Sequence, residues 1–309
     1  MRIQVPETRS RAASGSPDAG HAARGLRYTP GVLAVLSPAK SLDFDSPPAT
    51  DRASEPRMAA RADELAHVMA GKTASDLTRL MSLSESLARL NVERYRDWET
   101  ADARAAILAF DGDVYRGMAA ADSFGTRDYT QAQKTVRILS GLYGVLRPLD
   151  RIRPYRLEMG TRLTTDRGED LYDYWGRDIT DVLRADLDAS PGTAVLVNLA
   201  SNEYFSAVDV QALDRRVVSP VFLDARGDAE PRIVSFHAKR ARGAMAGWRS
   251  GNGSRASRIS PASRASATPT NRTCPAPAAR SSCVATTPER RGPGAIGSGS
   301  PTRPATLTR

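Results

Sequence analysis

The chain has 309 residues, 40% of them hydrophobic, which suffices for one large domain or two small ones. Its formal net charge of +9 sits at the ends: residues 249–309 hold ten Arg and one Glu, residues 1–30 hold five Arg and two acids, and residues 31–248 hold 29 basic against 32 acidic residues. Both cysteines, Cys274 and Cys283, lie in the C-terminal segment, which excludes a thiol peroxidase, a Cys-ligated zinc site and an iron–sulfur cluster from the middle of the chain.

Residues 1–31 are polar and without periodicity, and are expected to be a disordered extension. Val32–Leu36 is an apolar run ending at Ser37-Pro38, as a buried strand feeding a loop would. Residues 57–70 follow a helical pattern through Leu65, Val68 and Met69. Leu77, Leu80 and Met81, then Leu83, Leu87 and Leu90, predict two short helices interrupted at Ser82 and Ser84. Residues 101–110 and 129–139 are further helix candidates, and residues 171–187 form the clearest amphipathic helix. Residues 195–199, 217–223 and 232–236 complete a set of four strands, the last two joined by a Gly-containing turn. Strands separated by helices predict an α/β (α+β) domain with a mixed sheet over residues 32–248. No apolar run approaches the roughly 20 residues that span a bilayer, and Val32–Leu36 is too short for a signal-peptide core, so a cytoplasmic protein without membrane contact is expected.

Three strand ends carry polar clusters. Ser37-Pro38-Ala39-Lys40 places one of only four lysines directly after a strand, where α/β sites open. Asn198, Ser201 and Glu203 follow the strand at 195–199, although Ser201 as a helix cap and Asn198 as a turn residue explain them equally well. Lys239, Arg240 and Arg242 follow the strand expected at 232–236. Together these ends describe a basic cleft for an anion, phosphate foremost, with Arg147 and Arg156 adding charge from the segment 139–160. Neither the dinucleotide fingerprint nor the P-loop occurs. Residues 77–95 have the layout of a helix–hairpin–helix, which offers backbone N–H groups to a DNA phosphate; Arg79, Ser82, Ser84 and Arg89 are its candidate contacts, and an ordinary core hairpin is the competing reading. Glu64-Leu65-Ala66-His67 supplies one Glu-x-x-His where a di-iron site needs two, so no metal site is assigned.

Several phrases carry a family resemblance when taken in order: Leu36-Ser37-Pro38-Ala39-Lys40-Ser41-Leu42-Asp43, Gly112-Asp113-Val114-Tyr115, the segment 139–160, Trp175-Gly176, Asn198-Leu199-Ala200-Ser201 and Ala238-Lys239-Arg240-Ala241-Arg242-Gly243. They resemble the YaaA-type peroxide stress family. The resemblance implies a fold with a basic cleft and a helix–hairpin–helix-like DNA-binding element, and protection from peroxide by limiting free-iron damage. It implies DNA, duplex or branched, as the partner, no cofactor and no known catalytic activity. The alternative is an enzyme acting on a phosphorylated or nucleotide-like small molecule in the same cleft, with Lys40, Glu158 or Glu203 as the catalytic candidates. The resemblance begins at Val32. After Met245-Ala246-Gly247-Trp248 the sequence turns to Arg, Ser, Pro and Ala, as an out-of-frame reading of a high-GC gene would. Residues 249–309 are therefore expected to be a disordered, non-family tail arising from a frameshift near 246–249.

Overall fold

The computed structural model describes residues 2–4, 31–190, 192, 194–224 and 232–250. Its centre is a five-stranded sheet built from β1 (Val32–Leu36), β2 (Val136–Ser140), β3 (Gly144–Leu146), β4 (Val195–Asn198) and β5 (Arg216–Val218). The spatial order is β5-β4-β1-β2-β3. The first four strands in that order run parallel, and β3 returns antiparallel to β2. The expected mixed α/β sheet is present.

β1 is apolar throughout because both of its faces are covered, as parallel strands require. Leu33 and Val35 enter one core, and Ala34 and Leu36 the other. The first core takes Leu65 and Met69 of α1 (Ala59–Ala70) and Ile179, Leu183 and Leu187 of a helix α7 (Asp178–Asp188). The second takes Met118 of α4 (Asp113–Met118), Tyr129 and Ala132 of α5 (Thr126–Thr135) and Ala246 of a helix α9 (Ser235–Ser250). Between α1 and α4 lie α2 (Ala74–Met81) and α3 (Glu85–Arg96), the two short helices expected. Thr73 and Asp76 close a capping box at the start of α2, and Ser84 caps α3.

Five expectations need correction. Residues 217–223 are not one strand: β5 stops at Val218, Ser219-Pro220 break the run, and Val221–Leu223 is a separate strand outside the central sheet. Residues 129–139 are not one helix, because α5 stops at Thr135 and Val136–Ser140 forms a fully buried strand. Arg137 interrupts the apolar run there and hides the strand from a periodicity reading. Residues 101–110 hold only the short helix Ala106–Ala109 between two-residue strands. The helix expected at 171–187 is two, α6 (Leu171–Trp175) and α7, parted at Gly176, whose φ of +46° few other residues adopt. Residues 232–236 are not a strand: Arg232 makes one isolated bridge to Asp224, Ser235 already begins α9, and Ile233 and Phe236 are exposed. The turn expected at 226–230 lies outside the described residues.

At the chain ends, Arg2–Gln4 is a strand paired antiparallel with Val221–Leu223, so the expectation of no regular structure before Val32 does not hold for those three residues. α9 reaches Ser250, two residues past the expected domain end. Among the described residues no helix is long and apolar enough to cross a membrane.

Candidate functional site

The strand order places a topological switch between β1 and β4: the chain leaves β1 for β2 on one side and returns to β4 on the other. Sites in open α/β sheets form outside the carboxyl ends of the strands at such a point. Ser37 follows β1 and Ser201 follows β4, and they meet there. The Ser201 backbone N–H donates to Ser37 Oγ at 2.8 Å, and that hydroxyl donates to Ser201 Oγ at 3.2 Å. The Tyr115 hydroxyl, from α4, donates to the Ser37 carbonyl at 3.0 Å.

A loop spanning residues 156–164 closes over this crevice. It comes close because Gly141 has no side chain: a Cβ there would lie 2.5 Å from the Leu157 carbonyl oxygen. The Tyr95 hydroxyl also holds the loop, at the Arg156 carbonyl (3.0 Å). Glu158 then receives two cations, Lys40 Nζ at Oε2 (2.6 Å) and the Arg156 guanidinium at Oε1 (3.1 Å). Lys40 stays 67% exposed despite its partner. Arg156 is mostly buried, and its Nε has no hydrogen-bond partner. Glu203, on a short helix α8 (Asn202–Phe205), accepts from the Gly160 N–H at 3.0 Å, which ties the loop to the β4 side.

Pro38, Lys40, Tyr155, Arg156, Glu158 and Tyr204 surround a hollow of about 20 Å³. A space of that size holds about one water. Burial, aided by Tyr155, Glu203 and Glu158, pushes the Tyr204 hydroxyl far above the ordinary phenol range, so it is a neutral donor at physiological pH.

The residues named from sequence thus separate. Ser37, Lys40, Arg156, Glu158, Ser201 and Glu203 come together. Asn198 is next to them but is committed to structure: its Oδ1 accepts from the Ala200 N–H (3.0 Å) and its amide reaches Ser219 Oγ (3.4 Å). Arg147 is not in the crevice. The β2–β3 hairpin reverses the chain, so Leu146 pairs with Ile138 and Arg147 emerges at the amino-terminal edge of the sheet, bonded to Asp150 and the Glu55 carbonyl. Lys239, Arg240 and Arg242 arrive on α9 rather than from a strand end. α9 lies against α4, which contacts the β1 loop through Tyr115. Arg240 stacks over Phe236, and Arg242 is half-buried with its pKa lowered by burial.

At the hairpin, Ser82 ends α2 with a left-handed φ of +52°, and Ser84 Oγ accepts from the Leu87 N–H. Arg79 pairs with Asp76 at 2.5 Å and Arg89 with Glu85, each within its own helix. Leu87 and Leu90, which mark the helical pattern of α3, are exposed; Ala88, Asn91 and Tyr95 face inward. His67 is exposed and its ring bonds the Asp63 carbonyl. Sequence reasoning missed Tyr115 and Tyr204 as parts of the crevice wall. Nothing in the local pattern marks a tyrosine whose role is to hold a loop backbone.

Residues 32–257 match the family model described as peroxide stress protein YaaA. A UPF0246 protein of Burkholderia mallei strain SAVP1 is 50% identical over 220 residues, covering 70% of this chain and 84% of that protein. A UPF0246 protein of Burkholderia thailandensis is 51% identical over 220 residues with the same coverage.

Proposed function

Because the chain belongs to the YaaA peroxide stress protein family, we propose that it protects against peroxide by binding DNA through the cations around the β1–β4 crevice. A role in the peroxide response goes with the family; DNA as the target and free iron as the agent restrained are this reading's own steps. The observation that carries it is the exposed Lys40, fixed by Glu158 beside Arg156 at the switch point, over a hollow of only about 20 Å³. Such an arrangement presents charge to a large anion lying across the surface. It leaves no room there for a small-molecule substrate, which usually occupies a few hundred Å³.

DNA carries a condensed layer of cations that a basic protein displaces when it neutralises phosphates. Ferrous iron held in that layer generates radicals next to the sugar when it meets peroxide. A protein occupying those phosphates removes the iron from its most damaging position. Among the described residues no group of three or more His, Cys, Asp or Glu is placed to hold a metal ion, and none is needed for this mechanism.

The test is nicking of supercoiled DNA by ferrous iron and peroxide, with peroxide consumption followed in parallel. The protein is expected to lower nicking without consuming peroxide, and Lys40→Ala to protect less well. Equal nicking with and without protein removes the reading.

The enzymatic alternative, on a phosphorylated or nucleotide-like small molecule, is favoured by one observation: Lys40 and Glu158, two of its candidate acid and base groups, sit together at the switch point. Both carboxylate oxygens of Glu158 are already engaged by cations, and Glu203 accepts the Gly160 N–H, so both are committed to holding the loop.

A further inference from the structure

A second basic hollow lies beside α2 and takes in Arg79, considered so far only as a hairpin contact. It measures about 340 Å³ and is lined by Lys72, Asp76, Arg79, Arg162 and Thr164 over Leu80 and Leu163. Its charges do not cancel. Asp76 is already occupied: Oδ2 accepts from the Thr73 N–H (3.0 Å) and hydroxyl (2.7 Å), and Oδ1 pairs with Arg79. Hydrogen bonding from Thr73 holds the Asp76 pKa down to about 2, so it stays an acceptor for these groups. Lys72 and Arg162 have no acidic partner within 4.0 Å among the described residues. Two unpaired cations and a third, paired one therefore face a common space, with the Thr164 hydroxyl beside them. Like charges so placed repel, and an oxyanion between them removes that repulsion while gaining charge-assisted hydrogen bonds.

The walls have different origins. Lys72 and Arg79 come with α2, whose position is set by its capping box and by Leu77 in the core. Arg162 comes from the same loop that carries Arg156 and Glu158. That loop is pinned on either side: Gly160 bonds Glu203, and Thr161 and Leu163 are buried. Four residues of chain span at most about 14 Å, so the hollow and the crevice are neighbouring stations on one loop.

We propose that Lys72, Arg79 and Arg162 form a phosphate-binding subsite sized for one nucleotide unit, the phosphate between Lys72 and Arg162 and the sugar or base over Leu80. The volume falls in the range of small-ligand pockets. The Thr164 hydroxyl and the part-exposed Leu80 suit a phosphate ester better than a bare inorganic anion. The phosphate has two possible sources, a free nucleotide or the backbone of a nucleic acid. The second rests on the DNA-binding reading above; the first does not.

The experiment compares the full chain with a Lys72→Ala/Arg162→Ala variant, both carrying serine in place of the ten arginines of residues 249–309. Both substituted side chains lie at the surface, so equal thermal melting is expected and is checked first. Titrations are made with AMP and with a short DNA duplex over a salt series. Loss of AMP affinity by tenfold or more in the variant establishes the free-nucleotide source, whether or not the protein binds DNA. If AMP does not bind, the DNA arm decides: the log–log salt slope should fall by about 0.9, for the one phosphate held between Lys72 and Arg162. DNA binding with an unchanged slope, together with no AMP binding, overturns the subsite and leaves the DNA reading standing. Binding of neither ligand by the chain that keeps Lys72 and Arg162 overturns both.

Discussion

Ser37 and Ser201, 164 residues apart in sequence, are joined by two hydrogen bonds across the mouth of the β1–β4 crevice. The two bonds are unequal. Removing the Ser37 hydroxyl leaves the Ser201 N–H without its acceptor, whereas removing the Ser201 hydroxyl leaves that backbone bond intact. Ser37→Ala should therefore cost about 1–3 kcal/mol, the penalty of an unsatisfied part-buried donor, and Ser201→Ala under about 1 kcal/mol. Urea unfolding of the two variants checks the order. Equal losses would mean that the hydroxyl–hydroxyl contact, not the backbone bond, holds the crevice.

Arg137 is a charged residue buried on a strand of the sheet: its side chain is 6% exposed and its Nε meets Asp186 at 2.6 Å. Arg57 approaches the same carboxylate at 2.8 Å. Burial opposes charge on both partners, but the hydrogen bonds from Arg57 and Arg137 win at Asp186 and hold its pKa below the ordinary carboxylate value. A carboxylate depressed in the folded state contributes stability that is fully present above its unfolded pKa, about 3.9, and is lost as pH falls through the folded value. Acid below about pH 4 should thus weaken the fold through this pair. Asp186→Asn should cost about 3–5 kcal/mol at neutral pH by stranding the buried guanidinium, and should flatten the acid limb of the stability curve. Melting temperatures from pH 2.5 to 7 test both effects. A variant with the original acid dependence would show that other carboxylates control it.

α9 docks on α4 through glycine. A Cβ at Gly243 would lie 1.7 Å from the Val114 carbonyl oxygen, and one at Gly117 would lie 2.2 Å from the Arg240 carbonyl oxygen. Both obstacles are backbone and cannot rotate away. Gly243→Ala should cost about 3 kcal/mol or more, at the upper end of overpacking penalties, and should expose α9 to protease. Gly71→Ala is the control: its φ is −77° and the nearest atom to an added Cβ is 3.6 Å away. It should be neutral or stabilise by up to about 1 kcal/mol. Protection of α9 in Gly243→Ala would contradict the tight helix contact.

The parts of the fold legible in the sequence are those whose pattern has one cause. Val32–Leu36 and the strand after Ala194 read correctly because a strand buried on both faces is simply apolar. α2 and α3 read correctly because Ser82 and Ser84 interrupt a helical stripe. Val136–Ser140 did not, since Arg137 breaks its apolar run and its partner Asp186 is 49 residues away. The segment after Arg232 failed for the opposite reason: Ile233, Val234 and Phe236 imitate a strand, although Ile233 and Phe236 lie on the surface. At the candidate site, Lys40 and Ser201 were legible from their places at strand ends. The Glu158 contact was not, because it depends on Gly141 admitting a loop from elsewhere in the chain. Arg147 looked equivalent to Arg156 in sequence and differs only because a hairpin turns it to the other edge of the sheet.

On the function proposed above, DNA recognition belongs to the folded domain and not to the arginines at the end of the chain. Ten arginines in residues 249–309 would attract any DNA, with a salt slope rising by about 0.9 for each phosphate neutralised. Cations at fixed positions should instead favour a shape, such as a four-way junction over a linear duplex. The direct measurement is a salt titration on both DNAs with two variants: one with serine for those ten arginines, one with alanine for Lys40, Lys239 and Arg242. The first should bind with a flatter slope and keep its preference for the junction. The second should lose the preference and retain shape-blind, salt-sensitive binding. If the serine variant binds neither DNA, the affinity comes from the terminal arginines alone and the crevice is not a DNA site.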